Sequence, residues 1–263
     1  MHCRKVPIYS RSVMQFIASL VFTTFLFAWT FVYAIVFLIL AVLVPFPRRF
    51  ALARVWARVL LAMLRALCGL TYRVEGLERL PAGCHIAFWK HASSWETIAM
   101  SVIFPRQVWV LKRELQWIPI VGWCIRLLHA IAIDRGSGRL AVNQVVEQGQ
   151  ERFAEGDWVM FFPEGTRVAA GETRRYGVSG ALLASAAGKL VVPVAHNAGY
   201  FWPRRGWMKR RGQISVVIGE PIPAAGRDPR EINDQAQAWI EDQVRRLAPD
   251  ASLAEQSLPR AAD

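Results

Sequence analysis

Residues 89 to 97 read WKHASSWET, directly after the apolar run CHIAF (84–88) and directly before the apolar stretch IAMSVIF (98–104). A short apolar run, a polar loop and a longer apolar run predict a strand, a turn and a helix. His91 and Glu96 stand five positions apart. On an uninterrupted helix that step turns about 500°, so the side chains would point roughly 140° apart and could not meet. With His91 in the loop and a helix beginning near Ser94, Ser93-x-x-Glu96 is a capping box, with Glu96 at the third helical position. A first-turn carboxylate can also face back toward the preceding loop. Glu96 therefore reads as a helix cap, as the partner of His91, or as both.

The same alternation continues outward. Strands are predicted at 71–76, 84–88, 107–112, 130–134, 157–162, 190–195 and 213–219, and helices at 94–103, 117–128, 137–155, 177–187 and 228–247. This is an α/β fold: a mixed, largely parallel sheet of about seven strands flanked by helices. Ligands gather where loops leave the C-terminal ends of such strands. WKHASSWE, DRGSG (134–138), PEGTR (163–167) and HNAGYFW (196–202) all stand there.

Ahead of the α/β domain, no Asp, Glu, Lys, Arg or His occurs from Ser12 to Pro47. A helix over 13–44 would be roughly 48 Å long, more than the ~30 Å hydrocarbon layer. A cleaved signal peptide has a shorter apolar stretch and a small-residue end, which VLVPFPRR lacks. Basic residues flank the segment on both sides, so a tilted span and a re-entrant hairpin both fit. The lack of Gly or Pro across 13–44 favours one long inserted helix. The next stretch, RRFALARVWARVLLAMLRALCG, places Arg54, Arg58 and Arg65 within about 40° of one another on a helix, opposite an apolar face. It is expected as a basic amphipathic interfacial helix with that face in lipid; a core helix with a solvated basic face is the alternative. The expected organisation is 1–70 as membrane-embedding helices, 71–248 as the α/β domain and 249–263 as a fraying tail.

The net charge of +12 asks for an anionic partner, and the apolar segment makes lipid headgroups the economical choice. The stretch GYFWPRRGWMKRRG (199–212) mixes aromatics with cations, as a single-stranded nucleic-acid groove or a membrane interface would. Beside residues 12–47 the membrane is favoured, and no nucleic acid is expected. Cys3, Cys68, Cys84 and Cys124 form no C-x-x-C and no metal-ligand spacing with the five histidines, which points to reduced thiols, no disulfide and no metal.

If Glu96 reaches His91, it holds one ring nitrogen as a donor and leaves the other to take a proton from a substrate hydroxyl. That is triad logic with the nucleophile supplied by the substrate. In FFPEGTR, Pro163 and Gly165 enforce a turn presenting Glu164, Thr166 and Arg167, and arginine offers a planar fork for phosphate oxygens. Lys112, Arg113 and Arg135 also fall at or just past strand ends.

Four blocks in order, KHASSWE, LKRELQWIPIVGW leading to IAIDRGSG, FFPEGTR and VVPVAHNAG, resemble the 1-acyl-sn-glycerol-3-phosphate acyltransferase family over about residues 84 to 221. The family's usual aspartate in H-x-x-x-x-D is Glu96 here. The resemblance implies His91 as general base and Glu96 as its orienting partner. It implies Lys112, Arg135 and Arg167 as ligands of the acceptor phosphate, Glu164 and Gly165 as shaping the glycerol site, and Thr166 as a further substrate-binding residue. Pro193 would set a loop closing the pocket. The reaction implied is acyl transfer from acyl-CoA or acyl-carrier protein to the sn-2 hydroxyl of lysophosphatidate, forming phosphatidate, with no cofactor because a thioester is already activated. Backbone N–H groups near Ser93 to Glu96 or Gly165 are the candidates for an oxyanion site. The enzyme would be bound to a bacterial inner (plasma) membrane, in contact with anionic lipids, its catalytic domain on the cytoplasmic side. Another lysolipid acceptor, such as lyso-ornithine lipid, or a non-enzymatic basic docking protein are the rival readings.

Overall fold

The computed structural model describes residues 8–134 and 136–249. In chain order the elements are α1 (Ile8–Leu43), α2 (Phe46–Cys68), β1 (Leu70–Glu75), β2 (Ile86–Trp89), α3 (Trp95–Ile103), β3 (Gln107–Lys112), α4 (Val121–Leu127), β4 (Ile131–Ile133), α5 (Arg139–Ala154), β5 (Trp158–Phe161), α6 (Ser179–Ala186), β6 (Leu190–His196), α7 (Ala198–Phe201), β7 (Gly212–Ile218), β8 (Ile222–Pro223) and α8 (Pro229–Arg246). The sheet runs β1-β7-β6-β2-β5-β3-β4, with β8 on β6. Its pairings are parallel except those of β6 with β7 and with β8. The seven expected strands are present. Among the described residues only the two-residue β8 is an additional strand, too short to leave a periodic signal.

Because β2, β3, β4, β5 and β6 run the same way, the loops after them open on one edge of the sheet. Helices cover both faces closely enough to exclude side chains in places. A Cβ on Gly180 of α6 would fall 2.7 Å from Phe88 and 2.8 Å from Phe161. α4 is shorter than the expected 117–128. Pro119 has no N–H to donate, residues Arg113–Trp117 form a 3-10 turn, and the helix restarts with Val121 N–H on Pro119 O.

α1 is 36 residues long, roughly 54 Å at 1.5 Å per residue, and it does not stand away from the domain. It runs antiparallel to α2: Tyr33 OH donates to Leu52 O, Trp29 Nε1 to Trp56 O and Gln15 Nε2 to Cys68 O. Ser19 and Thr23, polar residues of this apolar helix, face inward. Ser19 accepts the Lys209 N–H at 2.8 Å, and Thr23 takes the buried Lys209 ammonium. The outward face, with Phe16, Ile17, Phe27, Phe31 and Ile39, is apolar and exposed. A helix of this length and composition with such a face suggests membrane association.

The apolar face of α2 differs from expectation. Phe50, Ala57, Leu60, Leu64 and Cys68 are buried, most of them within the main hydrophobic core. Arg54 turns inward as well, donating to Ser101 O and Phe104 O at the end of α3. The domain, rather than lipid, takes up this face, because α3, β1 and α1 need an apolar partner where α2 crosses them. Arg58 and Arg65 remain exposed. The tail from residue 250 lies outside the described residues. Leu64→Ala is expected to cost about 2–5 kcal/mol, read as a lower thermal midpoint in detergent; an unchanged midpoint would return the α2 face to lipid.

Candidate active site

The loop after β2 and the first turn of α3 carry the centre of the site. Glu96 is fully buried, and its Oε1 collects three donors: His91 Nδ1 at 2.9 Å, Ala92 N–H at 3.1 Å and Ser93 N–H at 2.8 Å. The reach back to Ser93 N–H is one half of the expected capping box. The other half is shifted by one residue, since Ser93 Oγ accepts from Trp95 N–H. Cap and partner are therefore the same oxygen.

Burial alone would raise the pKa of Glu96. The hydrogen bonds from His91 and Ser93 N–H, with the neighbouring imidazoles, outweigh it and hold the carboxyl below its ordinary value. An ionised carboxylate only accepts, so Nδ1 of His91 is the protonated nitrogen. Nε2 is left free on the side of the ring that lines a cavity. Phe162 stacks on the imidazole with centroids 4.0 Å apart. The backbone is pinned too, with Val168 N–H donating to His91 O at 2.8 Å. His196, at the end of β6, lies beneath. Its Nδ1 accepts from Ala198 N–H, so Nε2–H donates to Lys90 O at 2.8 Å, and burial lowers its pKa.

Below His91 sits a buried charge cluster that sequence reasoning did not assemble. The Lys90 ammonium lies 2.7 Å from Glu164 Oε1 and 2.8 Å from Glu241 Oε1, and donates to Glu172 O at 3.0 Å. Glu164 Oε2 accepts the His91 N–H at 2.6 Å, and Tyr176 OH donates to Glu241. Two carboxylates share one ammonium. Burial pushes Glu164 up to about 7, and the Lys90 charge opposes the shift. No local signal links Lys90 to Glu241, which is 151 residues away.

The cavity, about 760 Å3, lies between the α1–α2 pair and the sheet edge. Most of its lining is apolar, including Phe37, Trp56, Met100, Trp109 and Ile125. Its polar lining includes His91, Lys112, Thr166, Arg167, Arg204 and Arg205, and among the described residues no carboxylate lines it. Arg167 Nε is buried without a hydrogen-bond partner.

Of the residues read from sequence, His91, Lys112, Thr166 and Arg167 line the cavity and Glu96 supports it from behind. Arg135 lies outside the described residues. Glu164 points away from the cavity, onto Lys90 and the His91 peptide, because a carboxylate there neutralises a buried cation. Gly165, at φ 68°, makes the left-handed turn that brings Thr166 and Arg167 forward, but is not part of the lining. Arg113 is occupied by Asp134 at 3.0 Å.

Pro193 requires a correction, for it lies buried inside β6 rather than in a closing loop. Its carbonyl accepts from Gly219 N–H, where β6 changes neighbour from β8 to β7, so its missing N–H leaves no rung of the ladder unpaired. Some of the expected oxyanion donors are already engaged: Ser93 and Trp95 N–H groups donate within the loop, and Gly165 N–H donates to Phe162 O. Arg204 and Arg205 were missed as site residues because their stretch reads equally well as a membrane interface.

The Acyltransferase family profile matches residues 71–197. The chain is similar to the 1-acyl-sn-glycerol-3-phosphate acyltransferase of Pseudomonas aeruginosa, with 39% identity over 242 residues, 90% of this chain and 94% of the relative. It is also similar to the 1-acyl-sn-glycerol-3-phosphate acyltransferase of Saccharomyces cerevisiae, with 28% identity over 196 residues, 72% of this chain and 63% of the relative. The fold is that of the crystal structure of the 1-acyl-sn-glycerophosphate (LPA) acyltransferase from Thermotoga maritima, with TM-score 0.73 and 21% identity over 89% of this chain and 98% of that one. With that match along nearly the whole length of the Pseudomonas relative, the chain belongs to the 1-acyl-sn-glycerol-3-phosphate acyltransferase family.

Proposed function

We propose that the protein transfers an acyl chain from a thioester donor to the sn-2 hydroxyl of lysophosphatidate, forming phosphatidate. The observation that carries the mechanism is the His91 Nδ1–Glu96 Oε1 hydrogen bond of 2.9 Å beside a largely apolar cavity that Lys112, Arg167, Arg204 and Arg205 also line. His91 Nε2 takes the proton of the acceptor hydroxyl as that oxygen forms its bond to the thioester carbonyl carbon. The tetrahedral intermediate collapses with cleavage of the C–S bond, and the proton on Nε2 passes to the leaving thiolate. Glu96 fixes the tautomer and faces the transient imidazolium with a negative charge. The apolar part of the cavity suits an acyl chain, and Lys112 and Arg167 suit the acceptor's phosphate.

A lysolipid with an ornithine headgroup offers one carboxylate offset by its own ammonium, whereas a phosphomonoester brings up to two negative charges to these cations, which favours the phosphorylated acceptor. The donor is acyl-CoA or an acyl-carrier protein. The exposed apolar face of α1 contacts a lipid layer, with anionic headgroups meeting the surrounding arginines. The catalytic domain faces the cytoplasm of a bacterium, at the inner membrane, a reading supported by the unpaired state of Cys68, Cys84 and Cys124.

With purified protein, labelled acyl-CoA and lysophosphatidate, wild type is expected to yield phosphatidate. His91→Ala should lower kcat by at least about 10²-fold with an unchanged circular dichroism spectrum. Wild-type turnover in that variant would end the general-base reading. Glu96→Gln keeps an acceptor for the three donors but removes the charge, so kcat should fall while KM for lysophosphatidate changes little.

Glu164 generates a pH expectation. Its folded pKa is raised from the ordinary carboxyl value to about 7. Between roughly pH 4.5 and 7 the folded protein therefore holds more of this proton than the unfolded chain, and the group's contribution to stability falls as pH rises through that window. Glu164→Gln is expected to flatten the decline of the thermal midpoint between pH 5 and 7; an unaltered slope would place the titration elsewhere.

A further inference from the structure

The polar part of the cavity holds more positive charge than one phosphate needs. Lys112, Arg167, Arg204 and Arg205 all line it, and among the described residues none of these four has an ion-pair partner. A phosphomonoester carries at most two negative charges near neutral pH. Lys112 and Arg167, which come from the ends of β3 and β5, match that charge alone. Arg204 and Arg205 are a surplus of two from a different segment, the loop between α7 and β7.

That loop is held at both ends. At one end Trp202 is buried, with its ring edge-on to Phe22 of α1 at 5.6 Å. At the other, Lys209 is buried with its N–H on Ser19 and its ammonium donating to Trp207 O at 3.0 Å, and Arg210 N–H donates to Phe201 O at 2.8 Å. Between these anchors Arg204 and Arg205 are exposed and adjacent. Two neighbouring guanidinium groups with no carboxylate opposite repel each other and the cations nearby. Such an arrangement is unfavourable in the empty site and becomes favourable when an anion arrives.

We propose that Arg204 and Arg205 form a second phosphate site in the cavity, which binds a phosphate ester on the carrier arm of the acyl donor. The proposal rests on the acyl-transfer reading above, which brings two phosphorylated substrates to one cavity. A phosphodiester or phosphomonoester of the donor and the phosphate of a membrane headgroup share the same chemistry, so the test must separate them.

The test compares the full chain with its Arg204→Ala/Arg205→Ala variant in detergent micelles, using palmitoyl-CoA and the phosphate-free donor palmitoyl-pantetheine, with lysophosphatidate as acceptor. Both residues are exposed, so the variant is expected to fold. KM for palmitoyl-CoA should rise about tenfold or more, the range for losing charge-assisted hydrogen bonds. KM for lysophosphatidate should stay within about twofold, and the two proteins should behave alike with palmitoyl-pantetheine. Arg204→Lys/Arg205→Lys should recover most of the loss. An equal loss with palmitoyl-pantetheine, or a rise in KM for lysophosphatidate instead, overturns the proposal. So does a variant whose only defect is weaker sedimentation with phosphatidylglycerol vesicles, which would assign the pair to the bilayer. If wild type transfers no acyl group to lysophosphatidate, the acyl-transfer reading fails on its own. Equilibrium binding of CoA to the two proteins then decides the arginine pair: tighter binding by wild type upholds it and equal binding overturns it.

Discussion

The Lys90 ammonium is the constraint on which the site depends. A buried charge of this kind costs several kcal/mol unless acceptors surround it, and here Glu164, Glu241 and Glu172 O do so. They come from the loop after β5, from α8 and from the segment before Tyr176. The Lys90 backbone is bound as well: its N–H donates to Val194 O and its carbonyl accepts from His196. No one of these segments can shift without uncovering a charge. His91 is the next residue, and its own N–H goes to the second oxygen of Glu164. The position of the imidazole follows from charge compensation beneath it and from Glu96 beside it, more than from apolar packing alone.

Above this foundation the cavity suits an anionic lipid, with a largely apolar lining and four cations. The α1–α2 pair supplies one wall. α1 can do so because Gln15, Ser19 and Thr23 lie on one stripe and hold the Lys209 loop. Its other side is largely apolar. One helix thus lines the cavity on its inner side and presents a largely apolar face outward. Trp117, Trp123 and Trp207, all exposed, suit the boundary between such a layer and water.

Much of this was legible before any coordinates. The strand-loop-helix order around WKHASSWET, the seven strands and the parallel sense of most of them follow from apolar periodicity, because hydrophobic spacing is set by residues within a few positions of one another. The meeting of His91 and Glu96 was legible as a possibility for the same reason: five residues containing a loop and a helix start can fold back on themselves. The reading went astray where partners are distant. Glu164 looked like a cavity residue because the turn presenting it is local, but its direction is decided by Lys90. Pro193 fell within the strand expected over 190–195, and the closing-loop role came only from the family resemblance; the change of neighbour along β6 accommodates it inside the sheet. The apolar face of α2 had the composition of a lipid-facing stripe, since the core of a protein and the interior of a bilayer select the same side chains.

By itself, then, the sequence determined the elements, their order, the capped turn at Glu96 and the chemical kind of each strand end. Tertiary structure alone decided that Glu241 completes the charge set of Lys90, that Arg204 and Arg205 join Lys112 and Arg167 at one cavity, and that α2 belongs to the core. The physical reason is range. Propensity, capping and periodicity act over a few residues, whereas a buried ammonium accepts a carboxylate from any point of the chain that the fold brings within hydrogen-bond distance, here 151 residues away.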